Sequence, residues 1–185
     1  MKRAVFLDRD GVINEAPVRK GQPGSPATFS ELRILPGVPE ALEALREAGM
    51  TLIVATNQPD VAKGIIRRDE VETMHEYMRG HLPLEDIKVC YHIDADLCSC
   101  RKPKPGMLLE AARDHGIDLR KSFMVGDRWR DIGAGRAAGC RTVFVDYDYR
   151  EQKPDAPDYV VPSLAAASPI ILSRTEQYPG RMATA

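Results

Sequence analysis

The chain has 185 residues, with 26 Lys or Arg against 27 Asp or Glu, for a net charge of −1 at pH 7. That length holds one domain with a proper core, and the balanced charge gives no global field favouring nucleic acid or an anionic membrane. No apolar run approaches the roughly 20 residues that span a bilayer, and Met1-Lys2-Arg3 leads into a strand-like segment without a signal-peptide pattern. The expectation is a cytoplasmic protein, with neither nucleic acid nor membrane as partner, whose four cysteines are reduced or metal-bound.

Residues 3–8 read as a first, buried strand that ends in Asp8-Arg9-Asp10-Gly11. Ligands of open α/β sheets bind outside the carboxyl ends of the strands, and two carboxylates there are costly unless a cation or a proton holds them. The ordinary alternative is an Asp-Gly turn after an edge strand. A Gly/Pro-rich loop at 20–26 follows, and then a helix over 38–48 that Gly49 terminates. Residues 51–56 form a second strand, 68–78 a helix, and 87–92 a third strand. Pro105 opens a helix that continues to Gly116. A fourth strand at 122–125, a short helix at 131–138 and a fifth strand at 141–145 follow, with an edge strand at 159–161. A last helix is expected over 163–173 despite Pro169. The polar, aperiodic residues 174–185 read as a disordered tail after a domain spanning 1–173. This alternation predicts an α/β, doubly wound, mostly parallel sheet with helices on both faces.

Four strand ends carry polar residues. Asp8 and Asp10 end the first, and Thr56-Asn57-Gln58 ends the second. The basic run Arg101-Lys102-Pro103-Lys104 precedes the fourth strand, which ends in Gly126-Asp127 with Asp131 one turn on. Singly, each has an ordinary reading as a cap, a turn former or a surface ion pair. Together they are what phosphoryl transfer needs: a Mg²⁺ site, a nucleophile, and donors for phosphoryl oxygens. The absence of GxxxxGK[ST] disfavours a P-loop kinase.

In this order of parts the chain resembles the haloacid dehalogenase (HAD) superfamily of phosphohydrolases, over about residues 3–165. The resemblance implies a Rossmann-like sheet in which the first and fourth strands are central neighbours. It makes Asp8 the nucleophile that becomes an aspartyl-phosphate and Asp10 the general acid and base. Thr56 then donates to the phosphoryl group, and Lys102 neutralises charge. Catalytic Mg²⁺ would be held by Asp8, the Asp10 backbone carbonyl and Asp127, with Asp131 in support. A response-regulator receiver, phosphorylated after its third strand, does not fit, because here the third strand runs into a cysteine cluster.

That cluster is Cys90, His92, Cys98 and Cys100: three thiols and an imidazole within eleven residues. It supplies a complete tetrahedral set for structural Zn²⁺ in a loop over 90–100, against the alternative of a chance grouping of core cysteines. Cys140 reads as a buried thiol, and Trp129 as packing rather than a sugar platform. The zinc loop, the Thr-Asn-Gln segment and the Cys-Arg-Lys-Pro run resemble the heptose-1,7-bisphosphate and histidinol-phosphate phosphatase group, which has no large cap domain. By that resemblance Asn57, Arg101 and Arg128 contact a small phosphorylated sugar, and the reaction is removal of the 7-phosphate of a heptose bisphosphate in activated-heptose biosynthesis. Histidinol phosphate, another sugar phosphate, or a catalytically silent scaffold are the alternatives, and a monomer is expected. Pro59-Asp60 stands where the heptose enzymes usually have Ser-Gly. The zinc loop is short, and the 15–30 loop is proline-rich.

Overall fold

Residues Arg3–Leu7 alternate between two cores: Val5 and Leu7 join one, Ala4 and Phe6 the other, and all four are fully buried. A strand apolar on both faces belongs inside a sheet covered on both sides. In the computed structural model, which describes residues 1–19 and 22–175, that strand lies within the sheet. The chain runs β1 (Arg3–Leu7), a short antiparallel pair β2 (Val18–Arg19) and β3 (Gln22–Pro23), α1 (Val38–Glu47), β4 (Met50–Asn57), α2 (Pro59–Ala62) and α3 (Arg68–His81). It continues with β5 (Asp86–Cys90), α4 (Gly106–His115), β6 (Phe123–Gly126), α5 (Trp129–Ala138), β7 (Arg141–Val145), β8 (Tyr159–Val161) and α6 (Leu164–Thr175).

Six strands form one sheet in the order β5-β4-β1-β6-β7-β8, and every pairing is parallel. Core residues of α1, α3 and α6 cover one face, and those of α4 cover the other, with α5 packed beside it on β6. The register aligns Leu7 with Val54 on one side and with Val125 on the other. Asp8, Thr56 and Asp127 therefore emerge along one edge. Among the described residues no helix is long and apolar enough to cross a membrane.

Several boundaries differ from expectation. The loop after β1 contains the β2–β3 pair and a 3₁₀ turn at Phe29–Glu31, and α2 follows Gln58 directly. β5 stops at Cys90 because His92 turns back toward the cysteines. α5 begins at Trp129, where the Asp131 side chain accepts from the Arg128 N–H and caps the first turn. Pro169 lies inside α6, which packs on α1 through buried Leu164, Ala167 and Ile171; that burial outweighs the missing hydrogen bond. The helix runs on to Thr175, and 176–185 of the expected tail lie outside the described residues.

Candidate active site

Asp8, Asp127 and Asp131 are all buried, and each offers an oxygen within 4.8 Å of the others. Lys102 reaches into them. Its Nζ lies 2.8 Å from Asp8 Oδ1 and 2.5 Å from Asp131 Oδ1, and donates to the Ala55 carbonyl at 2.6 Å. All three ammonium donors are thereby used. Burial opposes the charged amine, but the two carboxylates overcome it and raise its pKa. One cation does not balance three carboxylates. Burial, then the charges of Asp8 and Asp131, push Asp127 well above the usual carboxylate range. Burial and Asp8 push Asp131 up to about 6 against the pull of Lys102. Both Asp127 carboxylate oxygens are buried and make no hydrogen bond of standard geometry. The Tyr149 phenol lies beside them, and burial first, then the Asp127 charge and a weak hydrogen bond to it, raise the phenol's pKa. Under-satisfied carboxylate oxygens in a cluster of excess negative charge fit a hard, oxygen-liganded divalent cation.

Two glycines permit this convergence. Gly11 has φ +81°, and a Cβ on it would lie 2.1 Å from Asp127 Oδ2. A Cβ on Gly126 would lie 2.0 Å from the Cβ of Asp131.

Asp10 stands in a different environment. Its carboxylate accepts from Arg9 Nε and Nη2 at 3.0–3.1 Å, Asn14 at 2.9 Å, Ser25 at 2.8 Å and Gln58 at 2.9 Å. Burial alone would raise its pKa, yet the Arg9 charge and these donors together lower it. Gln58 also donates to Thr56 Oγ1 at 2.9 Å, which leaves the threonine hydroxyl proton available to a ligand.

Above these groups opens a cleft of about 290 Å³, walled by Arg101, Arg128, Arg130, Lys63 and the 22–25 segment. The predicted contacts are not equally free. Asn57 clasps the Lys102 backbone in both directions, at 3.0 and 3.1 Å, so it fixes the base of Lys102. Arg128 is paired with Glu151 at 2.5 Å. Arg101 Nε donates to Asp94 at 2.9 Å while its Nη1 is buried without a partner. Arg130 grips the same Asp94 with both terminal nitrogens, at 3.0 and 3.2 Å. Its guanidinium covers the Trp129 ring at 4.7 Å, and Trp129 is not among the residues lining the cleft.

Arg9, Asn14, Ser25, Gln58 and Arg130 are site residues that sequence reasoning passed over. Arg9, Gln58 and Arg130 lie inside the motifs themselves, where spacing shows proximity but not direction. Ser25 lies fifteen residues from Asp10, in a loop whose closure no local pattern announces.

The cysteine cluster assembles as a compact set. The Sγ atoms of Cys90, Cys98 and Cys100 are 3.2–3.7 Å apart, and His92 Nδ1 is 3.6 Å from Cys90 and 3.3 Å from Cys100. Tetrahedral zinc with ~2.3 Å Zn–S bonds spaces its sulfurs by roughly 3.8 Å, so these four side chains fit that ion. Burial raises the pKa of the Cys90 and Cys100 thiols, whereas the Arg101 backbone N–H helps lower that of Cys98; a bound metal would itself require all three as thiolates. Cys140 is a buried thiol.

The HAD-hydrolase-like family matches residues 99–167. The D-glycero-beta-D-manno-heptose-1,7-bisphosphate 7-phosphatase of Rhodopseudomonas palustris is 36% identical, over 74% of this chain and 79% of that one. The D-glycero-D-manno-heptose-1,7-bisphosphate 7-phosphatase of Thermosynechococcus vestitus is 33% identical, over 89% and 92%. The D,D-heptose 1,7-bisphosphate phosphatase of B. bronchiseptica, solved with magnesium and phosphate, superposes with a TM-score of 0.79. It is 31% identical and covers 92% of this chain and 98% of its own. On this fold, this cluster and these relatives, the chain is a HAD-type phosphatase and belongs to the D-glycero-D-manno-heptose-1,7-bisphosphate 7-phosphatase family.

Proposed function

We propose that this phosphatase removes the 7-phosphate of D-glycero-D-manno-heptose 1,7-bisphosphate in the biosynthesis of nucleotide-activated heptose, with Asp8 as nucleophile. The observation that carries the reaction is the buried convergence of Asp8, Asp127 and Asp131 around Lys102 beneath an arginine-walled cleft. The substrate follows from the named relatives and from the cations on the wall.

An Asp8 oxygen forms the bond to phosphorus as the bond to the sugar oxygen breaks, and Asp10 gives that oxygen its proton. In the second half Asp10 takes a proton from water, which displaces Asp8 and releases phosphate. The donors around Asp10 hold the ionised form needed for this second half. An arriving phosphate dianion favours the protonated form needed for the first. Thr56 donates to a phosphoryl oxygen, and Lys102 holds Asp8 in place. Asp8, the Asp10 carbonyl and Asp127 would hold Mg²⁺, supported by Asp131; when bound, it screens the dianion from the carboxylates. Cys90, His92, Cys98 and Cys100 would hold zinc that fixes the loop leading to Arg101. On the wall, Arg101 and Arg128 meet the second phosphate, and Asn57 contributes through Lys102.

The test is phosphate release with both anomers of heptose 1,7-bisphosphate, histidinol phosphate and fructose 1,6-bisphosphate, with magnesium. We expect the highest kcat/KM on one heptose anomer. A preference for histidinol phosphate replaces the substrate and leaves the chemistry standing. No release from any of them overturns the heptose substrate and its runners-up together.

A further inference from the structure

We infer that His75, on the inner face of α3, is a positioning residue for the acid–base group, acting on Asp10 through Arg9. The inference rests on the proposed role of Asp10. Arg9 and His75 are both fully buried. Arg9 presents Nε and Nη2 to the Asp10 carboxylate and Nη1 to His75 Nε2 at 3.2 Å. Arginine has no acceptor, so His75 Nε2 is the acceptor and the ring is neutral, with its proton on Nδ1. Burial first, and then the Arg9 charge, hold its pKa at about 4, consistent with that form.

The Nδ1 edge is buried without a hydrogen-bond partner and faces Glu72 Oε2 at 3.7 Å, and Glu72 Oε1 accepts from the Tyr91 hydroxyl at 2.6 Å. Tyr91 lies between two of the cluster residues, Cys90 and His92. The hydrogen-bonded relay therefore runs from His75 through Arg9 to Asp10, with Glu72 and Tyr91 packed behind it on the side of the cysteine loop. A guanidinium held at Nη1 has a fixed plane, and its fork fixes the carboxylate on its other side. Transfer to or from the reacting oxygen needs heavy atoms within about 3.2 Å, so rotation of Arg9 would displace the proton rather than the nucleophile.

Leaving-group dependence separates this role from a structural one. A p-nitrophenolate leaves without a proton, whereas a sugar alkoxide needs one and every turnover needs water activated. The variants are His75→Leu, which keeps bulk and loses the acceptor, and His75→Gln, whose amide oxygen restores it. For His75→Leu we expect turnover of D-glycero-D-manno-heptose 1,7-bisphosphate to fall about 10–100-fold in kcat with KM little changed. The burst of p-nitrophenol from p-nitrophenyl phosphate should stay within about threefold of the parent under the same argument, and His75→Gln should recover most of the loss. Equal losses on burst and sugar turnover, or wild-type turnover in His75→Leu, would overturn the inference.

Asp10→Asn run alongside separates the two failures. If it too keeps the burst and loses sugar turnover, the acid–base role stands, and any failure in the His75 variants belongs to His75 alone. If it keeps sugar turnover, the role of Asp10 falls and the inference with it. Imidazole ¹⁵N spectra of the unaltered protein test the geometry independently of any variant. A neutral His75 protonated at Nδ1 is expected, and a proton on Nε2 would refute the arrangement.

Discussion

Asp8 and Asp10 are two residues apart and live in opposite electrostatic settings. Asp8 shares Lys102 with Asp131 in a cluster of excess negative charge, while Asp10 is wrapped by donors. Asp8→Asn should abolish phosphate release while circular dichroism and the unfolding midpoint stay near the parent; residual turnover near wild type would remove it as nucleophile. Lys102→Met leaves two buried carboxylates without their cation. Loss of one partner of a buried pair costs roughly 3–5 kcal/mol, and urea unfolding in magnesium-free buffer should show a loss of that order. Gly11→Ala forces a Cβ into Asp127 at a positive φ. Strain of about 1–3 kcal/mol is expected, read as a lower midpoint together with weaker magnesium activation.

Among the elements, the cysteine loop would couple a bound metal to the cleft wall. Its 3₁₀ turn Asp94–Asp96 lies between His92 and Cys98, and Asp94 holds both Arg101 and Arg130. Elemental analysis should find about one zinc per chain for a closed four-ligand site. Stripping it with a zinc-selective chelator, then restoring magnesium, should raise KM for the heptose bisphosphate several-fold, with a smaller effect on kcat. The reason is that the freed loop no longer holds Asp94 where it aims the two arginines. An unchanged KM in the zinc-free protein would separate the loop from substrate binding. The strands and most helices were legible from period and caps, because each reports a local backbone choice. Short elements were not. β2, β3 and α2 are two to four residues long, too short to show a period.

For the whole molecule, burial sets the response to acid. His75 binds its proton only near pH 4 when folded but near 6.5 when unfolded. Burial is the main cause. Arg9 and Arg79 add to the depression, while Glu72 and Asp10 oppose it. The unfolded chain takes up the proton first as pH falls, so the stability this group contributes is full above pH 6.5 and declines between 6.5 and about 4. It does so against the opposite trend from Asp127 and Asp131, whose folded pKa values are raised. The slope from this group is at most about 1.4 kcal/mol per pH unit. Urea unfolding at pH 7.5 and pH 5 should show a smaller acid loss in His75→Gln than in the parent; equal losses would mean that His75 is not buried neutral.

The sequence by itself determined the order of the six sheet strands and the longer helices, the candidate residues for the chemistry, and the four-residue cysteine set. Those depend on residue type and on spacing along one segment. Only the tertiary structure decided which groups share a proton or a charge. It placed Lys102 between Asp8 and Asp131, turned Asn57 onto the Lys102 backbone, left both Asp127 oxygens without a hydrogen bond of standard geometry, and set His75 behind Arg9 across 66 residues of chain. The physical reason is that hydrogen-bond direction and desolvation are properties of packed space. A motif fixes what a side chain can do; its buried neighbours fix which of those things it does.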